Sequence, residues 1–218
     1  MIKAIETRYK GYRFRSRLEA RWAVFFDSLG IRWQFEPEGF DLSERGLGYY
    51  LPDFFLPDQN YWIEVKPESF DCRDTDAYKK LAYVAAATNA GGLLVAGEPY
   101  LNVVMGAFET DMPAGSAHDQ WWVVGADGED AGQVDGPYLF CVCPLCDKIG
   151  IQFDGRGERI CSDAKCKHKR TREEALALDF WGSLYHGDKA YSGNHPVIVA
   201  AAEAARSARF EHGQSGAA

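Results

Sequence analysis

The sequence predicts an α/β domain over its first half. Three observations carry this: a segment with apolar residues at helical spacing, three short alternating segments after it, and a second helical segment leading into a short apolar strand. That order, helix, three strands, helix, strand, makes an αβββαβ core of roughly 90 residues. With 218 residues, 46% hydrophobic and 26% charged, the chain can hold one such core and an appendage, and its composition excludes bulk disorder and fibrous repeats.

The first helix is expected from Ser16 to Leu29. Leu18, Trp22, Phe25, Phe26 and Leu29 recur on one helical face, Ser16-Arg17-Leu18-Glu19 has the form of a capping box, and Gly30 supplies a stop. Ile31 to Phe35, Tyr50 to Leu56 and Tyr61 to Lys66 alternate apolar and polar, and Pro57-Asp58-Gln59-Asn60 between the last two marks a hairpin turn. Asp74 or Thr75 caps a second helix through Tyr78, Leu81, Tyr83 and Val84, closing near Asn89 to Gly92 before a strand from Leu93 to Ala96. This core occupies residues 1–97. An acidic, glycine-rich segment follows over 98–138, with strand-like islands at Leu101 to Met105 and Trp121 to Val124. A cysteine-rich segment fills 139–170. Residues 171–218 hold two helical stretches, Thr171 to Phe180 and Pro196 to Phe210, and a small polar tail. The N-terminus lacks an apolar leader and the longer apolar runs are broken by Thr, Asn and Gly, so a cytoplasmic chain without a membrane span is expected.

The formal charge of −8 is unevenly spread. Residues 1–35 carry +5, residues 36–100 carry −7, residues 101–164 carry −8 and residues 165–218 carry +2. Both ends can therefore meet a phosphate backbone although the whole is acidic.

The hairpin concentrates the chemistry. Facing residues in an antiparallel pair have a constant index sum, so a turn centred between Asp58 and Gln59 sets Asp53 opposite Glu64. Lys66 shares their face, while Phe54, Ile63 and Val65 point the other way into a core. Facing carboxylates repel by roughly 0.2–1 kcal/mol in a structural sheet. A divalent cation reverses that sign, since paired carboxylates are the hard oxygen donors that Mg²⁺ or Mn²⁺ prefers.

Pro52-Asp53, ten intervening residues, then Glu64-Val65-Lys66 resembles the PD-(D/E)XK nuclease motif, and the αβββαβ order over residues 8–97 is similar to the restriction-endonuclease-like core of that superfamily. Glu19 matches the first-helix glutamate of many members. The resemblance implies that Asp53 and Glu64 hold Mg²⁺ or Mn²⁺, that Glu19 is a direct or outer ligand, and that Lys66 is the catalytic lysine. Glu19 has a competing role in the capping box, and one carboxylate cannot serve both fully.

Cys143-Pro-Leu-Cys146, fourteen residues, then Cys161 and Cys166 has the spacing of two knuckles around one tetrahedral Zn²⁺ and resembles a zinc ribbon. Four cysteines imply a closed, structural site, with Cys141 and His168 as spare ligands. Arg13, Arg15 and Arg17, interleaved with Tyr12 and Phe14, suit phosphate contact and base stacking. Lys167, Lys169 and Arg170 form a second cationic cluster, which can grip DNA or simply neutralise the zinc–thiolate centre. The function expected is a metal-dependent DNA endonuclease with a zinc ribbon aiding DNA binding. Its rival is a non-catalytic DNA-binding or assembly subunit on the same scaffold. The resemblance also implies a phage or mobile-element setting.

Overall fold

The computed structural model describes residues 6–70, 75–99, 104–107, 138–142, 149–153 and 195–210. It is a mixed α/β structure. Strands β1 (Thr7–Tyr9) and β2 (Tyr12–Phe14) form a hairpin whose two loop residues, Lys10 and Gly11, both have positive φ, +47° and +82°. That geometry matches the right-handed twist of the flanking strands. Helix α1 (Arg17–Ser28) follows. The Ser16 hydroxyl oxygen accepts the Glu19 N–H at 3.2 Å and its O–H donates to Glu19 Oε1 at 2.7 Å. Gly30, at φ +66°, ends the helix and turns the chain toward buried Ile31.

The chain then forms β3 (Gln34–Phe35), a small separate hairpin of β4 (Phe40–Leu42) and β5 (Gly48–Tyr50), and the central hairpin of β6 (Phe54–Leu56) and β7 (Tyr61–Lys66). Helix α2 (Thr75–Ala87) leads into β8 (Gly91–Ala96), which lies parallel to β7. Strands β9 (Val104–Ala107), β10 (Tyr138–Val142) and β11 (Ile149–Phe153) extend the sheet, and α3 (Pro196–Ser207) is the last described helix. The main sheet has the order β11-β10-β9-β8-β7-β6-β3.

Helices α1 and α3 cover one face of this sheet. Ala20, Trp22, Phe25 and Phe26 pack with Phe54, Leu56, Ile63, Leu93 and Val95. Phe140 of β10 enters the same cluster, edge-on to Phe25 at 5.2 Å between ring centroids. Helix α2 covers the opposite face through Tyr78, Leu81 and Val84 against Trp62 and Leu94.

Several expectations meet a different geometry. The segment from Tyr50 to Leu56 is not one strand. It divides at Leu51-Pro52-Asp53, because Pro52 has no N–H to donate to a ladder, and the two parts join different sheets. The sheet face that carries Asp53, Glu64 and Lys66 also carries a second apolar cluster, since Trp62 and Phe55 on that face pack with the residues beneath α2. The island expected from Leu101 is described only as β9, from Val104. The predicted strand at Trp121 to Val124, the helix at Thr171 to Phe180, Cys143, Cys146, Cys161 and Cys166, and Lys167, Lys169 and Arg170 lie outside the described residues. Strands β10 and β11 pair from Tyr138↔Phe153 to Val142↔Ile149, so they flank the segment 143–148 that holds the first two of those cysteines. No helix among the described residues is long and apolar enough to cross a membrane.

Candidate functional site

The central hairpin has the register deduced from its turn: Phe54 faces Ile63, Phe55 faces Trp62 and Leu56 faces Tyr61. Asp53, one residue before β6, therefore falls level with Glu64. The neighbouring pair β3–β6, with Phe35 opposite Phe54, carries the row one strand further. The Glu36 N–H donates to the Asp53 carbonyl at 2.9 Å. Three carboxylates, Glu36, Asp53 and Glu64, thus stand in adjacent positions at one end of three strands. Glu19, from the first turn of α1, adds a fourth whose charge acts on Asp53.

Each acid is held by specific donors. Asp53 Oδ2 accepts the Val65 N–H at 2.7 Å, and Oδ1 accepts Arg15 Nη2 at 3.1 Å. Glu64 Oε1 accepts Lys66 Nζ at 2.7 Å, and Oε2 accepts the Tyr50 hydroxyl at 2.8 Å. Glu19 Oε2 accepts the Arg15 N–H at 3.0 Å while Oε1 closes the capping box with Ser16. Arg15 Nη2 also approaches Glu36 Oε1 at 2.5 Å. Asp53, Glu64 and Glu19 are all buried.

Burial sets the electrostatics. Loss of water, then the Glu64 charge, holds the Asp53 pKa well above its ordinary value, against the opposing Val65 N–H and Arg15. Burial likewise raises Glu19, opposed by Ser16 and the Arg15 N–H. The Tyr50 hydroxyl is pushed up by burial and by Glu64, so it stays protonated and remains a donor to that carboxylate. Tyr50→Phe should lower stability by about 1–2 kcal/mol in urea unfolding, because it strips one buried carboxylate oxygen of its donor without changing the ring's packing. No change in the unfolding midpoint would show that this hydrogen bond contributes nothing.

The donor chemistry fits a hard divalent cation. Four carboxylates face two cations, Arg15 and Lys66, leaving an excess of two negative charges when all are ionised. The side chains are not drawn in as a ready ligand cage: among the described residues no three His, Cys, Asp or Glu side chains form a metal-holding group. Their oxygens instead engage Arg15, Lys66, Tyr50 and Ser16.

Glu19, Asp53, Glu64 and Lys66, singled out from sequence, are thus neighbours. Glu36, Tyr50 and the acid-binding role of Arg15 were missed. The same index-sum argument would have found Glu36 had the pairing of β3 with β6 been known; nothing local in the sequence marks Tyr50. Glu36 has φ +43°, a left-handed conformation that few residues other than glycine and asparagine adopt, so tertiary contacts must enforce its position. Asp58, the other acid after a proline, sits in the turn and pairs with exposed Arg32, away from the row.

The arginines near α1 are mostly engaged. Arg13 pairs with Glu6 in an exposed contact, and Arg21 pairs with Glu98. Arg17 has no acidic partner among the described residues. In comparison with known protein families, curated protein sequences and solved structures, nothing matches this chain.

Proposed function

We propose that this chain is a divalent-cation-dependent nuclease of the PD-(D/E)XK type that hydrolyses DNA phosphodiester bonds. The observation that carries the reading is the placement of buried Asp53 and Glu64 side by side, with Lys66 bound to Glu64 and Glu19 close enough to bias Asp53. Burial and then the neighbouring Glu64 charge raise Asp53, a cost that a purely structural sheet has no use for.

Asp53 and Glu64 are the residues that would hold Mg²⁺ or Mn²⁺, with Glu19 at its edge. The ion would supply Lewis-acid polarisation of the phosphate and a more acidic water. Lys66, through its ammonium, would orient that water and offset charge growing on the phosphate oxygens. Tyr50, through its hydrogen bond to Oε2, would hold Glu64 in place. Arg13, Arg15 and Arg17, near the start of α1, would supply phosphate contacts to a DNA strand.

The direct test is incubation of the purified chain with supercoiled, single-stranded and branched DNA in Mg²⁺, Mn²⁺ or EDTA. Cleavage in the metals and none in EDTA is expected. DNA binding without cleavage in any metal would favour the second reading, a non-catalytic DNA-binding or assembly subunit. That reading has one observation on its side: every oxygen of Asp53, Glu64 and Glu19 already has a protein donor.

The cysteine spacing supports a structural Zn²⁺ at Cys143, Cys146, Cys161 and Cys166. Metal analysis should find about one zinc per chain, and Cys143→Ser or Cys161→Ser should release it. Zinc-free protein with normally titrating thiols would refute this site.

A further inference from the structure

We infer that Arg15 is an exchangeable counter-ion of the carboxylate row. In the cation-free protein it neutralises Asp53 and Glu36; when a divalent cation enters, it leaves Asp53 and offers its guanidinium to a DNA phosphate. The inference rests on the nuclease reading and gives one residue the task of coupling metal entry to substrate grip.

Arg15 touches three of the four acids. Its N–H donates to Glu19, and its Nη2 lies 3.1 Å from Asp53 Oδ1 and 2.5 Å from Glu36 Oε1. The contact to Glu36 is ionic and not an aligned hydrogen bond, since Glu36 Oε1 has no partner in hydrogen-bond geometry. The guanidinium is therefore shared between two acids and fully satisfied by neither. Its side chain is 60% exposed whereas that of Asp53 is 7% exposed, so Arg15 reaches the buried acid from the solvent side. Lys66 is 26% exposed and bound to Glu64 two residues away on its own strand, which suits a fixed part of the centre.

A cation bound at Asp53 competes with Arg15 for the same carboxylate and repels its charge. Glu36, held in its uncommon backbone conformation, remains as a tether beside the site. A released guanidinium is planar, always charged and matched to phosphate oxygens, which lysine reproduces only as a point charge. Coupling of this kind is reciprocal: what the metal does for DNA affinity, DNA does for metal affinity.

The test uses the full chain without DNA first, titrated calorimetrically with Mn²⁺ as wild type, Arg15→Gln and Arg15→Lys. Arg15→Gln should bind Mn²⁺ about ten-fold more tightly, and Arg15→Lys, which keeps the charge, should stay near wild type. Equal or weaker binding by Arg15→Gln would overturn the proposal and make Arg15 a fixed organiser of Asp53. DNA affinity is then measured in Ca²⁺ and in EDTA. The gain that Ca²⁺ confers on wild type should shrink several-fold in Arg15→Gln, and an undiminished gain would overturn the phosphate contact. If wild type shows no saturable Mn²⁺ binding, the nuclease reading itself falls and the inference falls with it. Wild-type binding with an unresponsive Arg15→Gln removes the inference alone.

Discussion

Asp53→Asn is expected to abolish cleavage and at the same time to make the metal-free protein more stable. On the proposed mechanism the loss should be at least about a thousand-fold, because the substitution would remove a charge that holds the divalent cation. The gain follows from the sign of the Asp53 shift. Its folded pKa is raised, first by burial and then by Glu64, so the stability it contributes is complete below its ordinary pKa and is lost as pH rises through the folded value. At neutral and mildly alkaline pH the wild-type acid therefore destabilises the fold, and asparagine, which does not titrate, does not. The amide oxygen can still accept the Val65 N–H, while the amide NH₂ takes the place of Oδ1 and gives up its contact with the exposed Arg15 guanidinium, which keeps Glu36 as a partner. Added Mg²⁺ should raise the wild-type melting temperature more at pH 8 than at pH 6, while Asp53→Asn should show little response at either. An Asn variant that melts lower than wild type in EDTA at pH 8 would contradict this electrostatic account.

The largest stability effect should come from Trp22→Ala, about 3–5 kcal/mol by chemical denaturation. Trp22 is buried in the cluster beneath the sheet, with ring centroids 5.4 Å from Phe25, 5.7 Å from Phe26 and 6.3 Å from Phe140. Its indole N–H donates to the Gly97 carbonyl at 3.0 Å, and the Gly97 N–H donates in turn to the Lys66 carbonyl at 2.9 Å. One side chain therefore fills the core, seats β10 against α1 and tethers the strand end that carries Lys66. Trp22→Phe keeps most of the apolar volume and loses the tether, so it should cost about 1–2 kcal/mol. An alanine variant within 1 kcal/mol of wild type would mean that this cluster is not the core that holds the sheet.

The parts of the site legible in the sequence are those fixed by local rules. Ser16, Glu19 and Gly30 punctuate α1 through capping and left-handed backbone, and the observed helix runs between them. The turn at residues 57–60 fixes the β6–β7 register and with it the pairing of Asp53 with Glu64, because a two-residue side-chain period leaves no freedom once the turn is centred. What depends on non-adjacent strands was not legible. Glu36 joins the row only because β3 pairs with β6, across an intervening hairpin. Tyr50 reaches Glu64 only because Pro52 breaks the strand and sends β5 to a separate sheet. The β1–β2 hairpin also escaped notice, since its Lys10-Gly11 turn lacks the asparagine or aspartate that usually announces such a turn. Arg15 read as one more cation beside a helix start, and its role emerged only when the acids it neutralises were placed.

Whether Lys66 works with Asp53 and Glu64 on a phosphodiester is decided by Mn²⁺-dependent cleavage of supercoiled DNA by purified wild type and Lys66→Ala in parallel, with folding of both checked by circular dichroism. Lys66 is partly exposed and lies outside both apolar clusters, so its removal should leave the fold intact. EDTA-sensitive nicking or linearisation is expected from wild type, and none detectable from folded Lys66→Ala. Full cleavage by that variant would contradict that role for Lys66.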